Sequence, residues 1–364
     1  MTQLALGFPG QQIAAPDPPS GDRPPTPALV DRYGRVAQNL RVSLSDRCNL
    51  CCVFCMPAKG LDWLPTTQVL SDAEVVRLIT IAVEQLDIHA VRFTGGEPLL
   101  RRGLEDIVAA TTTLRTVNGA RPETALTTNA VGLEGRAVGL AAAGLDRVNV
   151  SLDSLDRQTF VTLTRRDRLS DVLAGLAAAD AALLGPVKIN AVLIRGVNDA
   201  EAPELLAFAL RRGYGLRFIE QMPLGPIEAW DRGAMVTAQE ILASLSTRFT
   251  LITTDQAERG SSPAQHWVVE PGPDLPGGTV GVVSAVSRPF CGACDRTRLT
   301  ADGQVRSCLF SRTETDLRSL LRGGASDDEI AAMWRTAMWG KEAGHDINDP
   351  AFMQPRRPMS AIGG

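Results

Sequence analysis

Several features are missing from this chain of 364 residues, and each absence argues against one class of protein. No uninterrupted apolar run approaches the ~18–20 residues that a membrane-spanning helix needs. The first 30 residues lack the basic start and apolar block of a secretory signal, so we expect a cytoplasmic protein with reduced cysteines and no membrane partner. A net charge of −4 argues against a nucleic-acid partner. No GxxxxGK(S/T) segment occurs, which excludes a P-loop nucleotide hydrolase.

Lysine is also scarce. Of the 37 basic residues, only Lys59, Lys188 and Lys341 are lysines. Lys188 lies between Val187 and Ile189 in an otherwise apolar segment, where burying an ammonium is costly unless it meets an anion. The alternative is that its side chain reaches solvent at the end of a strand.

The chain divides into three regions by composition. Residues 1–30 hold a dense run of prolines and few large apolar residues, so we predict a disordered extension. From about residue 38, short apolar strands alternate with helices at a spacing of roughly 30–40 residues, which favours parallel strand–helix–strand units. The six predicted strands are Asn39–Leu44, His89–Thr94, Glu123–Thr128, Arg147–Leu152, Val187–Leu193 and Leu216–Gln221.

Polar side chains recur at every second position of these strands. Since a sheet covered on both faces is apolar throughout, this alternation predicts an incomplete (β/α)6 TIM-like barrel with a polar lumen. Solvated faces of edge strands are the alternative. We expect the barrel over residues 31–233, closed by a smaller C-terminal α+β region over 234–364. The polar pairs are Arg41 and Ser43, Arg92 and Thr94, Asn149 and Ser151, and Lys188 and Asn190.

Four of the seven cysteines form one group just after the first predicted strand. Barrel enzymes place their reactive groups at that end of a strand. Cys48, Cys52 and Cys55 have the spacing C-x3-C-x2-C, and three thiolates on one loop suit a four-iron cluster with one iron left open. A purely electron-carrying cluster usually has four cysteines. A zinc knuckle is the alternative, although none of the three histidines lies near this loop.

The other three cysteines form a second group near the C-terminus. Cys291, Cys294 and Cys308 follow a C-x2-C-x13-C spacing, which fits either a second cluster with an open iron or half of a zinc ribbon. Arg296 and Arg298 lie between these cysteines. Because a guanidinium binds phosphate oxygens at two points, the two arginines predict an anionic, multiply charged ligand.

The first cysteine loop resembles the radical S-adenosylmethionine (SAM) superfamily, in which SAM binds the open iron. Thr94-Gly95-Gly96-Glu97-Pro98 ends the second strand and resembles the superfamily's GGEP motif, which meets the methionyl amino group. Cys51 departs from the pattern, and we expect it to be a bystander. The residues implied to bind SAM are Phe54, Gly95, Gly96, Glu97, Ser151 and Met222.

Together the two cysteine motifs, the GGEP turn and the terminal Gly363-Gly364 resemble the family of GTP 3′,8-cyclases over about residues 31–364. The resemblance implies two 4Fe–4S clusters and conversion of GTP to (8S)-3′,8-cyclo-7,8-dihydroguanosine 5′-triphosphate, the first step of molybdenum cofactor biosynthesis. It also implies a homodimer, a flavodoxin- or ferredoxin-like electron donor, and transfer of the product to cyclic pyranopterin monophosphate synthase.

The same resemblance implies the residues that handle GTP. A catalytic role falls on Arg296, Arg298, Gly363 and Gly364, the two glycines entering the barrel; a frayed terminus is the alternative for the glycines. The implied GTP contacts are Arg41, Arg92, Thr127, Lys188, Arg296, Thr297 and Arg298.

Two other functions remain open from the sequence. A peptide-modifying radical SAM maturase also carries an auxiliary cluster, but such enzymes usually have more C-terminal cysteines than the three here. A non-enzymatic metal-binding or electron-transfer module would not need a barrel with a polar lumen.

Overall fold

The computed structural model describes residues 22–226, 230–253 and 260–363. Most of the proline-rich segment, residues 1–21, lies outside the described residues. The first described elements are the short strands β1 (Leu29–Val30) and β2 (Val36–Ala37), which pair antiparallel. No helix in the described ranges combines the length and apolarity needed to cross a bilayer.

Six parallel strands, paired in chain order, form the centre of the fold, and they confirm the six predicted strands to within two residues at each end. A helix follows each of the first five. The strands are β3 (Asn39–Ser43), β4 (Ala90–Thr94), β5 (Glu123–Thr128), β6 (Arg147–Ser151), β7 (Lys188–Val192) and β8 (Gly215–Ile219). The intervening helices are α1 (Asp72–Gln85), α2 (Leu104–Thr113), α3 (Ala137–Ala142), α4 (Arg157–Thr164), α5 (Leu169–Ala181) and α6 (Ala202–Arg212).

Later strands extend both edges of this sheet. Arg296–Leu299 (β12) pairs parallel with β3, and Gly278–Val283 (β11) pairs parallel with β8. Four outer strands pair antiparallel with their neighbours: β9 (Leu251–Thr253), β10 (Gln265–Val269), β13 (Gln304–Arg306) and β14 (Thr315–Asp316). The resulting twelve-stranded sheet has the order β14-β13-β12-β3-β4-β5-β6-β7-β8-β11-β10-β9. The fold is therefore α/β with a mainly parallel sheet.

Alternation along the strands separates an apolar face from a polar one. In β3, Leu40 and Val42 are fully buried in the main hydrophobic core, whereas Arg41 and Ser43 point to the opposite face. The same apolar face recurs along the sheet and packs against the helices. The opposite face carries the polar rows that the sequence predicts.

Helix starts have local causes in the sequence. The Ser71 hydroxyl accepts a hydrogen bond from the backbone N–H of Glu74, and the Glu74 carboxylate accepts one from Ser71 N, which makes a capping box at the start of α1. The C-terminal helices are α7 (Ala238–Ser246), α8 (Leu317–Arg322), α9 (Asp327–Trp339) and α10 (Met359–Ile362). Trp334 of α9 is fully buried behind β12.

Candidate active site

One cavity lies on the polar face of the sheet and collects residues from both ends of the chain. It reaches from the middle of the strands to the loops at their carboxyl ends, the location at which barrel enzymes carry their reactive groups. The sequence-predicted residues that line it are Arg41, Cys48, Cys52, Phe54, Cys55, Arg92, Gly95, Gly96, Glu97, Thr127, Ser151, Met222, Cys291, Cys294, Arg296, Arg298 and Cys308.

The first cysteine loop is fixed by backbone contacts to the end of α4. Cys51 N donates to Thr164 O at 3.0 Å and Val53 N donates to Leu163 O at 2.9 Å. Burial, together with the neighbouring thiols, raises the pKa of Cys55 to about 12, and burial raises that of Cys48 to about 11. Burial likewise raises the pKa of Cys52 well above its usual value. Such crowded thiolates need the positive charge of a bound metal to be stable.

A single metal ion and an iron–sulfur cluster make different demands on the three sulfurs of this trio. Tetrahedral zinc would hold its thiolate sulfurs within ~4 Å of one another. Among the described residues, no group of three or more histidine, cysteine, aspartate or glutamate side chains is arranged to hold one metal ion. A cubane is compatible with wider spacing because each thiolate binds a different iron. Cys48, Cys52 and Cys55 all line the cavity from one loop, as the ligands of a four-iron cluster would.

Cys51 is oriented away from the cavity. Its buried thiol donates to Pro57 O at 3.3 Å, and the guanidinium of Arg165 donates to Cys51 O at 3.0 Å. It is not among the residues that line the cavity. These contacts agree with its predicted role as a bystander.

The glycine turn after β4 approaches the cysteine loop too closely for any side chain. A Cβ on Gly95 would lie 2.6 Å from Ser45 O, and one on Gly96 would lie 2.4 Å from Arg47 O. Gly95 also has a φ of +156°, at the border of the region that other residues rarely adopt. The glycines therefore let the backbone of the turn lie directly against the cysteine loop.

Glu97 is buried and held by three donors. Its carboxylate accepts hydrogen bonds from Thr128 Oγ1 at 2.7 Å, Asn129 N at 2.7 Å and Leu99 N at 2.9 Å. Burial raises the pKa of Glu97 to about 7, against the lowering effect of these donors. The Asn129 side chain also donates to Cys48 Sγ at 3.7 Å. The GGEP turn and the first cysteine trio are thus joined through one residue.

The second cysteine trio lies across the same cavity. Burial and the nearby Cys308 raise the pKa of Cys291 to about 11. Burial also disfavours the Cys294 thiolate, but the charges of Lys341 and Arg296 outweigh it and lower the pKa to about 7. A cationic environment around Cys294 favours metal binding, since the thiolate is the ligand.

His345 lines the cavity beside this trio but does not offer a fourth ligand. Its Nε2 lies 3.0 Å from Ala285 O, and its Nδ1 accepts from Ile347 N at 3.3 Å. Both ring nitrogens are occupied by backbone groups, with the proton on Nε2. As placed, His345 is therefore not available to this trio as a fourth ligand.

Buried cations connect the two cysteine trios. Burial first, then the mutual repulsion of neighbouring guanidinium groups, lowers the pKa of Arg41 to about 10 and that of Arg92 well below its usual value. Side-chain atoms on this face that are buried without a hydrogen-bond partner in the described structure are Arg41 Nε, Arg92 Nε, Arg147 Nη1, Thr127 Oγ1, and Asn149 Nδ2 and Oδ1. Unpaired buried donors on several cations indicate a site for a polyanion.

Three predicted residues lie outside the cavity lining. Lys188 begins β7, at the amino end of the strands, where burial and the charges of Arg217, Arg147 and Arg92 lower its pKa to about 8. Thr297 is buried on the opposite face of β12, where its hydroxyl accepts from Trp334 Nε1 at 3.0 Å. Gly363 lies against Thr94 and Ser43.

Gly364, the other predicted glycine, lies outside the described residues. Three further residues contact or extend the site without having been singled out from the sequence for it: Arg147, Arg217 and Lys341. The period-two pattern that identified the polar rows also contains Arg147, which precedes Asn149 by two positions. Arg217 lies opposite Asn190 in the pairing of β7 with β8, which the sequence pattern does not reveal. No sequence pattern marks Lys341 beyond the scarcity of lysine.

Two family models match the chain in tandem. The Radical SAM superfamily model matches residues 42–209, and the Molybdenum Cofactor Synthesis C model matches residues 214–347. The first range contains the first cysteine loop and the GGEP turn, and the second contains the other cysteine trio.

Solved structures share the fold at low sequence identity. SuiB from Streptococcus suis superposes with a TM-score of 0.54 at 14% identity, covering 89% of this chain and 78% of that one. Native anSMEcpe with bound AdoMet gives a TM-score of 0.56 at 14% identity, covering 86% and 82%. At this identity the likeness shows the fold alone.

Curated relatives are much more similar in sequence. The GTP 3′,8-cyclase of Corynebacterium glutamicum is 59% identical over 349 residues, covering 95% of this chain and 91% of that protein. The GTP 3′,8-cyclase of Mycobacterium marinum is 58% identical over 371 residues and covers 100% of both. That of Streptomyces coelicolor is 59% identical over 345 residues, covering 95% and 99%. The chain therefore belongs to the GTP 3′,8-cyclase family of the radical SAM superfamily.

Proposed function

We propose that this chain is an enzyme that converts GTP to (8S)-3′,8-cyclo-7,8-dihydroguanosine 5′-triphosphate, the first step of molybdenum cofactor biosynthesis. One observation carries the proposal: two three-cysteine groups line a single cavity that also contains Arg41, Arg92, Arg296 and Arg298. This combination suits a radical reaction on a polyphosphorylated substrate.

The proposed architecture is an incomplete (β/α)6 barrel over residues 31–233, with the C-terminal region 234–364 closing it. Two contacts support this arrangement. β11 and β12 extend opposite edges of the six-stranded sheet, and the tail brings Gly363 against Ser43 and Thr94 on the polar face. A closed lumen suits the reaction because a carbon radical would react with other nearby C–H groups or solvent.

The proposed cofactors are two 4Fe–4S clusters and SAM. Cys48, Cys52 and Cys55 would hold the first cluster, and the second trio would hold the other. When bound, the first cluster and SAM would supply a 5′-deoxyadenosyl radical that takes the hydrogen from C3′ of GTP. The C3′ radical would then add to guanine C8, and one electron from the proposed electron donor and one proton would complete the 7,8-dihydro ring. The residues proposed to bind SAM are Phe54, Gly95, Gly96, Glu97, Ser151 and Met222.

Each group proposed to bind SAM has a distinct task. The side-chain-free backbone of Gly95 and Gly96 admits the methionyl moiety, and the carboxylate of Glu97 compensates its ammonium charge. Phe54 lies in the cavity wall beside Cys55, where an aromatic ring can pack on adenine.

The substrate is proposed to lie along the cationic face. Arg41 and Arg92 have buried N–H groups without partners, so a triphosphate would satisfy donors that otherwise stay unpaired. Arg296 and Arg298 would position the reacting nucleoside beside the second cluster, whose open iron would bind the guanine base. The GTP contacts proposed are Arg41, Arg92, Thr127, Lys188, Arg296, Thr297 and Arg298.

Thr297 and Lys188 lie outside the cavity lining and would contact GTP differently from the other residues. The Thr297 hydroxyl is engaged by Trp334, so Thr297 would contribute through its backbone. Lys188 lies at the amino end of β7 and would meet the far end of the triphosphate. Gly363 and Gly364 are proposed to complete the catalytic site, where a residue with a side chain would clash with its neighbours.

The remaining parts of the proposal come from family resemblance. They are a cytoplasmic location, a homodimeric state, an electron donor of the flavodoxin or ferredoxin type, and transfer of the product to cyclic pyranopterin monophosphate synthase.

Isotope transfer tests the proposed reaction. The protein, reconstituted without oxygen and reduced with dithionite, is incubated with SAM and GTP carrying deuterium at C3′. We expect 5′-deoxyadenosine that contains one deuterium and whose formation requires GTP. Formation of unlabelled 5′-deoxyadenosine alone, or stimulation by a peptide in place of GTP, would favour the maturase alternative.

A further inference from the structure

Lys341 contacts the second cysteine trio from behind the cavity wall. It follows α9 directly and is only 3% exposed. Its ammonium nitrogen lies 3.3 Å from Cys294 Sγ, 3.2 Å from Cys294 O and 3.0 Å from Arg296 O. The three donors of the ammonium are thus matched by three acceptors.

The charge of this ammonium has one candidate partner. Within the ranges that the structure describes, no carboxylate lies within ion-pair distance of Lys341; the ion pairs there are formed by arginines and by His89. Two of its three acceptors are neutral carbonyl oxygens. A buried ammonium without a counter-charge is unfavourable, and Cys294 Sγ, at 3.3 Å, is the one of the three acceptors that becomes anionic as a metal ligand.

We propose that Lys341 is a positioning residue for the second cluster. Its ammonium donates a charge-assisted hydrogen bond to the Cys294 thiolate and thereby raises the reduction potential of that cluster. The inference rests on the proposed function, because that function assigns a cluster to Cys291, Cys294 and Cys308. Positive charge and hydrogen bonds at a cysteine ligand stabilise the reduced cluster, which carries one more electron.

The same contacts connect the cluster to the substrate side of the cavity. Lys341 binds the backbone oxygen of Arg296, whose side chain lines the cavity. One ammonium therefore fixes the position of Cys294 relative to the β12 segment that bears Arg296 and Arg298. Loss of Lys341 would loosen both a cluster ligand and the start of β12.

The geometry also accounts for a lysine in a chain whose basic residues are almost all arginines. An ammonium is compact and directs its three donors from one nitrogen. A guanidinium is planar, larger and carries five N–H groups. At a fully enclosed position with three acceptors around one point, arginine would leave donors unpaired, so we expect Lys341→Arg to disturb the site.

The test uses full-length, reconstituted protein with SAM and compares Lys341→Met with Lys59→Met. Methionine removes the charge and the donors at similar length, and Lys59 is an exposed lysine that serves as the matched control. The potential of each cluster is measured by EPR-monitored redox titration, and a Cys294→Ala protein identifies the signal of the second cluster.

In Lys341→Met, we expect the ratio of oxidised to reduced second cluster at a fixed potential to rise at least tenfold, which corresponds to a fall of ~59 mV or more. Iron release from that cluster to a chelator should also be faster. The first cluster and Lys59→Met should match the parent. Lys341→Gln, which keeps a donor without the charge, should lie between the parent and Lys341→Met.

A second cluster with the parent's potential and iron-release rate in Lys341→Met would overturn the inference. If neither the Met nor the Gln variant retains the second cluster while the first loads normally, Lys341 is required to hold it, as proposed. A parent protein that itself contains only the first cluster would contradict the proposed function instead, so the two failures are distinguishable.

Discussion

The guanidinium of Arg298 donates a hydrogen bond to the carbonyl oxygen of Gly363, so the end of the described chain is bound to the strand that lies between the C-terminal cysteines. Gly363 has a φ of +86°, and a Cβ placed on it would lie 2.6 Å from Thr94 Oγ1 and 3.0 Å from Ser43 Cβ. Both backbone conformation and space therefore require glycine here.

Replacement of Gly363 by alanine tests the role of this tail. We expect at least about a tenfold loss of GTP-dependent product formation, with iron content unchanged, because the methyl group would displace the tail from Thr94. Gly324→Ala is the matched control: Gly324 has a φ of +83° but nothing within 4 Å of an added Cβ. Equal activity losses in the two variants would mean that backbone strain alone, and not the contact with Ser43 and Thr94, explains the effect.

Removal of a cationic side chain tests the substrate site. Arg298→Ala and Lys188→Ala should each weaken GTP binding by about 10- to 100-fold, the usual range for a lost charge-assisted hydrogen bond. Iron content should not change. The control is Arg211→Ala, which removes the same charge from an exposed position of α6. Binding is measured by isothermal titration calorimetry, and loss of iron in either variant would refute its assignment to GTP.

Cys51 and Cys52 are adjacent, yet we expect opposite results from their replacement by serine. Cys52 lines the cavity, whereas the Cys51 thiol donates a hydrogen bond to Pro57 O. Cys51→Ser should retain about eight irons per chain, and Cys52→Ser should retain about four, since each cubane holds four. Iron and sulfide assays check this. Depletion of iron by Cys51→Ser to the same extent would make Cys51 a ligand.

The sequence predicts the parts of the site that depend on local pattern. Alternating apolar residues identify the six central strands because each buries one face, and the same period identifies Arg41 and Arg92 as residues of the opposite face. The cysteine spacings identify both trios because cluster ligands lie close together in sequence within each trio.

Other features depend on contacts between distant segments and cannot be predicted from local pattern. The alternation of residues within each strand does not reveal that β11 and β12 pair with opposite edges of the central sheet. Lys341 and Cys294 meet only because α9 packs behind β12. The burial of Thr297 against Trp334 likewise follows from that packing, and it places a predicted substrate residue on the face away from the cavity.

Asp153 predicts a pH dependence of stability for the chain without clusters. Burial raises the pKa of this carboxyl from 3.8 to about 7, although Val192 N donates to it at 2.8 Å. Because the folded chain binds this proton more tightly than the unfolded chain, the stabilising contribution is complete below about pH 4 and is lost as the pH rises towards 7.

Asp153→Asn keeps the acceptor for Val192 N and removes the ionisation. As the pH rises from 5 to 7, the unfolding free energy of the parent should therefore fall relative to that of the variant, by on the order of 1 kcal/mol per pH unit. Urea denaturation of the metal-free proteins measures it. A difference that stays constant over this range would show that Asp153 ionises normally in the fold.

Metal analysis of the oxygen-free protein tests most directly whether each cysteine trio holds a four-iron cluster with one iron open to a small molecule. We predict about eight irons and no zinc per chain, about four irons when Cys291, Cys294 and Cys308 are all replaced by alanine, and a change in the Mössbauer spectrum of one distinct iron site when SAM binds and of another when GTP binds. Zinc at both trios, or clusters whose spectra are insensitive to both ligands, would contradict this assignment.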